Sequence, residues 1–294
     1  MPRSGRASRC CPNTSIAPLL KLLLCGHGYL GQAISREFLT AGWDITATSL
    51  SGGDGTRSCD LSSAAQVAAL ADEQPDFLVH CAASGRGGPE AYRAVYLEGC
   101  RHLVATFPGI PLLFTSSTSV YAQTDGSVVT EDSDAEPDRE TGLILRETEE
   151  LVLASSGIVT RLAGIYGPHR SVILKKFLNG EAVIEEDGRR YLNQIHRDDA
   201  ARAILHLASS PSDISDLKSQ IYNVGDSHPL TQLEVYTALA SIFEKPLPPS
   251  GPRDLNRKRG WTHKRVSNAK LRATGWEPLY PSFLDAAPYL ATTL

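Results

Sequence analysis

Three sets of residues in this 294-residue chain could do chemistry. The first is Gly26-His27-Gly28-Tyr29-Leu30-Gly31, a G-x-G-x-x-G spacing inside KLLLCGHGYLGQAISREF. Glycines so spaced let the backbone turn tightly and come close to a phosphate, so the chemistry they suit is anion binding. The second is a pair of hydroxyls in FTSSTSVYA, Ser117 and, four residues on, Tyr121, whose phenol could be presented to the same cleft. The third is His196, in NQIHRDDAARAI, whose imidazole titrates near neutral pH and could act as an acid or base.

Each set depends on the element that carries it. KLLLCG is a short apolar run of buried-strand type, and a helix follows from Gly31 to about Ala41, ended by Gly42. WDITATSL, PDFLVHCAAS, PLLFTSS and IVTRLAGIYG read as further strands. AAQVAALADEQ, AYRAVYLEGCRHLVATF and ILRETEELVLASS read as the helices between them. Strands joined through helices need crossover connections, which predicts an α/β fold with a doubly wound parallel sheet of Rossmann type. The glycine run then ends a strand and opens a helix, as a dinucleotide fingerprint requires. Gly26 makes the turn, Gly28 admits the pyrophosphate, Gly31 lets helix and strand pack, and the pyrophosphate is expected against Gly28-Tyr29-Leu30. Ser117 falls at the carboxyl end of a central strand, where open sheets of this kind bind ligands. Asp198 or Asp199 reads as the N-cap of the helix after His196.

The cofactor expected is NADP or NAD. The second strand ends in Thr48-Ser49-Leu50-Ser51, without the carboxylate that would bind a ribose 2′-hydroxyl. Ser49, Ser51 and Arg57 are available to a 2′-phosphate instead, which tilts the reading toward NADP. Asp54, among Gly52, Gly53 and Gly55, reads as a turn residue.

Composition narrows the partners. The formal net charge of -4 argues against nucleic acid and anionic membranes, and no apolar run approaches the roughly 18 residues of a membrane span. The six cysteines form no C-x-x-C pair, and four of them sit in segments that read as strands or a core helix, which points to buried free thiols in a reduced, cytoplasmic protein. Residues 1–20 carry Arg3, Arg6 and Arg9 with no acidic residue, the composition of a disordered tail, an overlong start or an organellar transit peptide. RDLNRKRGWTHKR gathers Arg253, Arg257, Lys258, Arg259, Lys264 and Arg265 around Trp261, as a solvated loop or a phosphate-binding edge. The acidic run from Glu131 to Glu140 fits no ligand spacing, so no metal site is expected.

GHGYLG, CDL at Cys59 to Leu61, VHCAAS, FTSSTSVYA and RLAGIYGP occur in the order seen in the extended short-chain dehydrogenases/reductases, and NQIHRDDAARAI and IYNVGD continue the match. From Lys21 to Leu290 the chain resembles that superfamily, of NAD-dependent epimerase/dehydratase type. The resemblance implies a dinucleotide-binding domain over 21–170, with 192–225 returning to it, and a small substrate lobe from 171–191 and 226–294. It implies Asp60 and Leu61 beside the adenine, Cys81, Ala82, Ala83 and Ser116 along the dinucleotide, and the Ser117 hydroxyl polarising a substrate oxygen. Gly164 and Ile165 would lie by the nicotinamide amide, with Tyr166 packed beneath. The substrate would be a sugar, sugar nucleotide or similar polar metabolite, phosphorylated or nucleotide-linked, and a homodimer stays open.

The resemblance fails at one point. Its acid/base is the tyrosine of Y-x-x-x-K, and those slots fall here on Thr141 and Leu145; no Tyr-x-x-x-Lys occurs in the chain. YRAVYLEG, with Tyr96 where extended members often have Asn, and KRVSNAKLRATGWEPLYPSF are similar to atypical members that keep the cofactor loop and lose the pair. Two readings stay open: an enzyme using Ser117 with an unconventional acid/base, and a regulatory or scaffold protein that senses the dinucleotide without turnover.

Overall fold

The structure, a computed structural model, describes residues 19–85, 87–209, 220–254 and 261–294. Most of the N-terminal tail, with Cys10 and Cys11, and the three basic residues Arg257, Lys258 and Arg259 lie outside the described residues.

Seven strands build one parallel sheet: β1 (Lys21–Cys25), β2 (Asp44–Ser49), β3 (Arg57–Ser58), β4 (Phe77–His80), β5 (Leu112–Ser117), β6 (Ile158–Leu162) and β7 (Gln220–Val224). Their order is β7-β6-β5-β4-β1-β2-β3, with every pairing parallel. The sequence progresses outward in both directions from β1 and β4, which makes the gap between their carboxyl ends the switch point where such sheets bind ligands.

The apolar strand runs follow from burial on both faces. Leu22 and Leu24 of β1 point to one core, with Ile34 and Phe38 of α1 (Tyr29–Thr40). Leu23 and Cys25 point to the other, with Val67 of α2 (Ala64–Ala68) and Cys100 and Leu103 of the next helix. That helix, α3, runs as Pro89–Tyr92, a π-helical stretch Arg93–Glu98 and Gly99–Thr106. Beyond it come α4 (Glu140–Ala154), α5 (Val172–Leu178), α6 (Arg197–Ser209), α7 (Gln232–Ile242), α8 (Ala269–Arg272) and α9 (Phe283–Ala291). A third core gathers Tyr166 with Leu174, Phe177, Tyr236, Phe283 and Leu290 of α5, α7 and α9. Cys25, Cys59, Cys81 and Cys100 are free thiols, and burial pushes that of Cys25 up to about 12.

Two expected elements are divided. AAQVAALADEQ stops as α-helix at Ala68, resumes as the 3-10 turn Ala71–Glu73, and ends at Gln74 with a left-handed φ of 49°. IVTRLAGIYG leaves the sheet after Leu162; its second half, Gly164–Tyr166, pairs in parallel with Gln194–His196 instead.

Candidate functional site

A cleft of about 450 Å³ opens at the carboxyl ends of β1, β2, β4, β5 and β6. Its floor is the glycine loop. Gly26 and His27 both donate backbone N–H groups to Thr48 O at 3.0 Å, and the Cys81 thiol donates to Gly26 O at 3.0 Å, so β2 and β4 hold the loop from both sides.

The three glycines differ in why they are glycine. A Cβ on Gly26, whose φ is +107°, would stand 2.3 Å from Ala82 N, and one on Gly31 would stand 2.0 Å from Gly26 O. Those two positions are closed by the protein itself. A Cβ on Gly28 would meet no atom of the described residues within 4 Å, and its φ of -85° suits any residue. The space beside Gly28 is open cleft, at the uncapped N-terminus of α1, where free N–H groups and the helix dipole favour an anion. The loop therefore fits a pyrophosphate.

Of the residues expected at the cofactor, Gly26, His27, Gly28, Tyr29, Leu30, Ser49, Cys81, Ala82, Ala83, Ser116 and Ile165 line the cleft. Gly31 lies beneath the loop. Asp60 and Leu61 do not reach the cleft: Asp60 accepts from Ser62 N and Oγ at 3.0 and 2.7 Å, and Leu61 is buried in the second core. Gly164 opens onto a neighbouring hollow instead. Tyr166 lies in the core of α5, α7 and α9, its hydroxyl without a hydrogen-bond partner among the described residues.

Ser117 lines the cleft, and its Oγ accepts from Ser119 N at 3.2 Å. The two other catalytic expectations are corrected. Tyr121 is fully buried: its hydroxyl takes a bond from Arg161 Nη1 at 2.8 Å and lies 2.9 Å from both Thr130 O and Asn223 Oδ1, and burial raises its pKa. His196 is fully buried too. Asp198 N donates to Nδ1 at 3.2 Å, which leaves the proton on Nε2 for Tyr289 Oη, and burial holds the imidazole pKa at about 4. It is a structural histidine. Asp199, rather than ending in a cap, accepts from Leu279 N and Tyr280 N at 2.6 and 3.0 Å.

The slots of the missing pair are well defined in space. Thr141, Leu145 and Glu149 succeed one another at four-residue intervals on α4. Glu149 is buried against Arg161, at 3.1 and 2.7 Å, and accepts Ser116 Oγ at 2.6 Å. Leu145 faces the cleft, and Thr141 faces an adjoining hollow of about 430 Å³ that shares Tyr92 and Ser119 with it. Another hollow, of about 720 Å³, shares Ile165 and Arg170 with the cleft and is walled by Lys176, Arg190, Gln194 and Arg253.

Two of the three groups behind the tilt toward NADP are engaged within the protein, while Ser51 stays exposed. Arg57 pairs with Glu73 and donates to Ala69 O, while Ser49 Oγ is engaged by Gly52 N at 3.0 Å and Thr56 Oγ1 at 2.9 Å. In the basic segment, Lys264 is buried rather than solvated: Nζ donates to Tyr121 O, and burial lowers its pKa to about 8. Sequence reasoning passed over Tyr92, Ser119 and Arg170 at the site. Tyr92 reads as a helix-face residue, and Arg170 is marked only by its place just after a strand and Y-G-P. No helix among the described residues is long and apolar enough to cross a membrane.

Residues 22–225 match the model of the NAD dependent epimerase/dehydratase family. The chain belongs to that family, whose cofactor is NAD. Protein YeeZ of Escherichia coli K12 is 28% identical over 283 residues, covering 89% of this chain and 96% of YeeZ. A protein of Methylobacillus flagellatus, described provisionally as an NAD-dependent epimerase/dehydratase, superposes with a TM-score of 0.77 at 26% identity, over 94% of this chain and 98% of that one. The UDP-glucose 4-epimerase of Thermus thermophilus, solved in complex with NAD, gives a TM-score of 0.74 at 20% identity, over 93% and 98% of the two chains.

Proposed function

We propose that this chain binds NAD in the cleft and converts a nucleotide-linked sugar seated in the hollow beside it. The observation that carries the reading is Gly28, the one fingerprint glycine that the protein's own packing leaves free. Cleft and hollow meet at Ile165 and Arg170, so a substrate in one can reach a cofactor in the other. The likeness to a UDP-glucose 4-epimerase supports the substrate class.

When bound, the nicotinamide accepts or donates a hydride. The chain's own part falls first to Ser117. Because its oxygen accepts from Ser119 N, its proton is available to a substrate oxygen in the cleft. Proton exchange falls to the phenols that border the cleft, Tyr92 and Tyr96, carried by α3. Tyr96 Oη accepts from Ser84 N at 3.3 Å, which leaves its own proton to give.

A second reading, a dinucleotide sensor without turnover, is favoured by Leu145. An apolar side chain in the lysine slot can neither hold a ribose nor lower a phenol pKa. A panel of sugar nucleotides incubated with protein and NAD, followed by reduced-nicotinamide absorbance and product chromatography, separates the two. Turnover that Ser117→Ala slows by about 10²–10³-fold supports the enzyme. Tight NAD binding with no conversion across the panel supports the sensor.

A further inference from the structure

Among the described residues, the side chains that line the cleft include no aspartate or glutamate and a single permanent charge, Arg170. Arg170 comes from outside the fingerprint, on the tight bridge Gly167↔Arg170 that follows Gly164–Tyr166. That bridge is tied to the phosphate loop. Tyr29 Oη donates to Pro168 O at 3.0 Å, and a Cβ on Gly167 would stand 2.7 Å from the same hydroxyl, so the glycine is what lets Tyr29 approach.

Two guanidiniums stack on the Tyr29 ring, Arg170 at 5.0 Å and Arg197 at 4.9 Å from its centroid. They are not equivalent. Arg197 donates to Asp198 at 2.9 Å, a carboxylate it shares with Arg36, and does not line the cleft, whereas Arg170 lines it and makes no ion pair among the described residues. An exposed arginine held by an aromatic platform beside an uncapped helix N-terminus is a fork set for a phosphate. The demand is real: a pyrophosphate brings two negative charges, a helix end answers with about half a positive one, and the lysine slot holds Leu145.

We infer that Arg170 is a cofactor-binding residue that neutralises the dinucleotide's pyrophosphate, with Tyr29 as the platform that orients it. The inference rests on the proposed NAD site and adds a ligand from outside the glycine motif.

Calorimetric titration with NAD, ADP-ribose, adenosine and UDP-glucose tests it on wild type, Arg170→Gln, Arg170→Lys and Tyr29→Leu. ADP-ribose keeps the pyrophosphate without the nicotinamide, and adenosine has no phosphate. Arg170→Gln should weaken NAD and ADP-ribose by about 10- to 100-fold, flatten the salt dependence of binding, and leave adenosine unaffected. Arg170→Lys should restore part of the loss, and Tyr29→Leu should reproduce part of it. The ligand-free melting temperature of Arg170→Gln should match wild type, since the side chain is exposed. Unchanged NAD affinity in Arg170→Gln, an equal loss for adenosine, or a loss confined to UDP-glucose overturns the inference while the NAD site stands. Failure of wild type to bind either NAD or ADP-ribose overturns both.

Discussion

The carboxylate of Glu149 and the guanidinium of Arg161 meet through two hydrogen bonds, at 3.1 and 2.7 Å, with their side chains 0% and 1% exposed. The pair joins α4 to β6 and, through Ser116, to β5. It therefore fixes which face of α4 looks into the cleft, and puts Leu145, one turn earlier, at its wall.

Removing one partner strands the other without water. Glu149→Ala should cost about 3–5 kcal/mol in denaturant unfolding, most of it the uncompensated Arg161 charge. A loss within about 0.5 kcal/mol, the range of ordinary surface changes, would contradict the burial of this pair.

His196 gives the protein an acid-sensitive step. Its folded pKa of about 4 lies below the ordinary 6.5, so across that window the unfolded chain holds a proton that the folded chain refuses. Stability should rise with pH through the window and fall as pH drops through it. Melting temperatures taken from about pH 7 to about pH 4.5 should show a steeper fall for wild type than for His196→Gln. Equal slopes would mean that the imidazole is not buried neutral.

The fold was largely legible because buried parallel strands are continuous apolar runs and each is followed by a helical period. The glycine loop was legible for a related reason: its residues are neighbours in sequence, and two of them are demanded by local packing. Tyr121 and His196 were misread because a titratable side chain announces its chemistry but not its direction, and long-range partners such as Arg161 and Tyr289 decide that. Arg57 was misread the same way, since nothing local reveals that Glu73 takes its charge. Arg170 went unseen because the turn that carries it meets Tyr29 only in three dimensions.

Arg57 yields a prediction of its own. With that guanidinium held by Glu73, the chain should bind NAD at least as tightly as NADP, and Arg57→Ala should leave the ratio unchanged. Both cofactors are to be titrated at one salt concentration, because a 2′-phosphate contact is partly electrostatic. A preference for NADP that Arg57→Ala abolishes would show that the ion pair opens to the ligand.

The most direct measurement is NAD binding to Gly28→Val, set beside its unfolding curve. The open space around Gly28 predicts that the variant folds, at a cost of about 1 kcal/mol or less for the poorer N-cap, and that NAD binding disappears because the new side chain fills the cradle. A folded variant that binds NAD with wild-type affinity would contradict the account, and would place the dinucleotide away from the glycine loop.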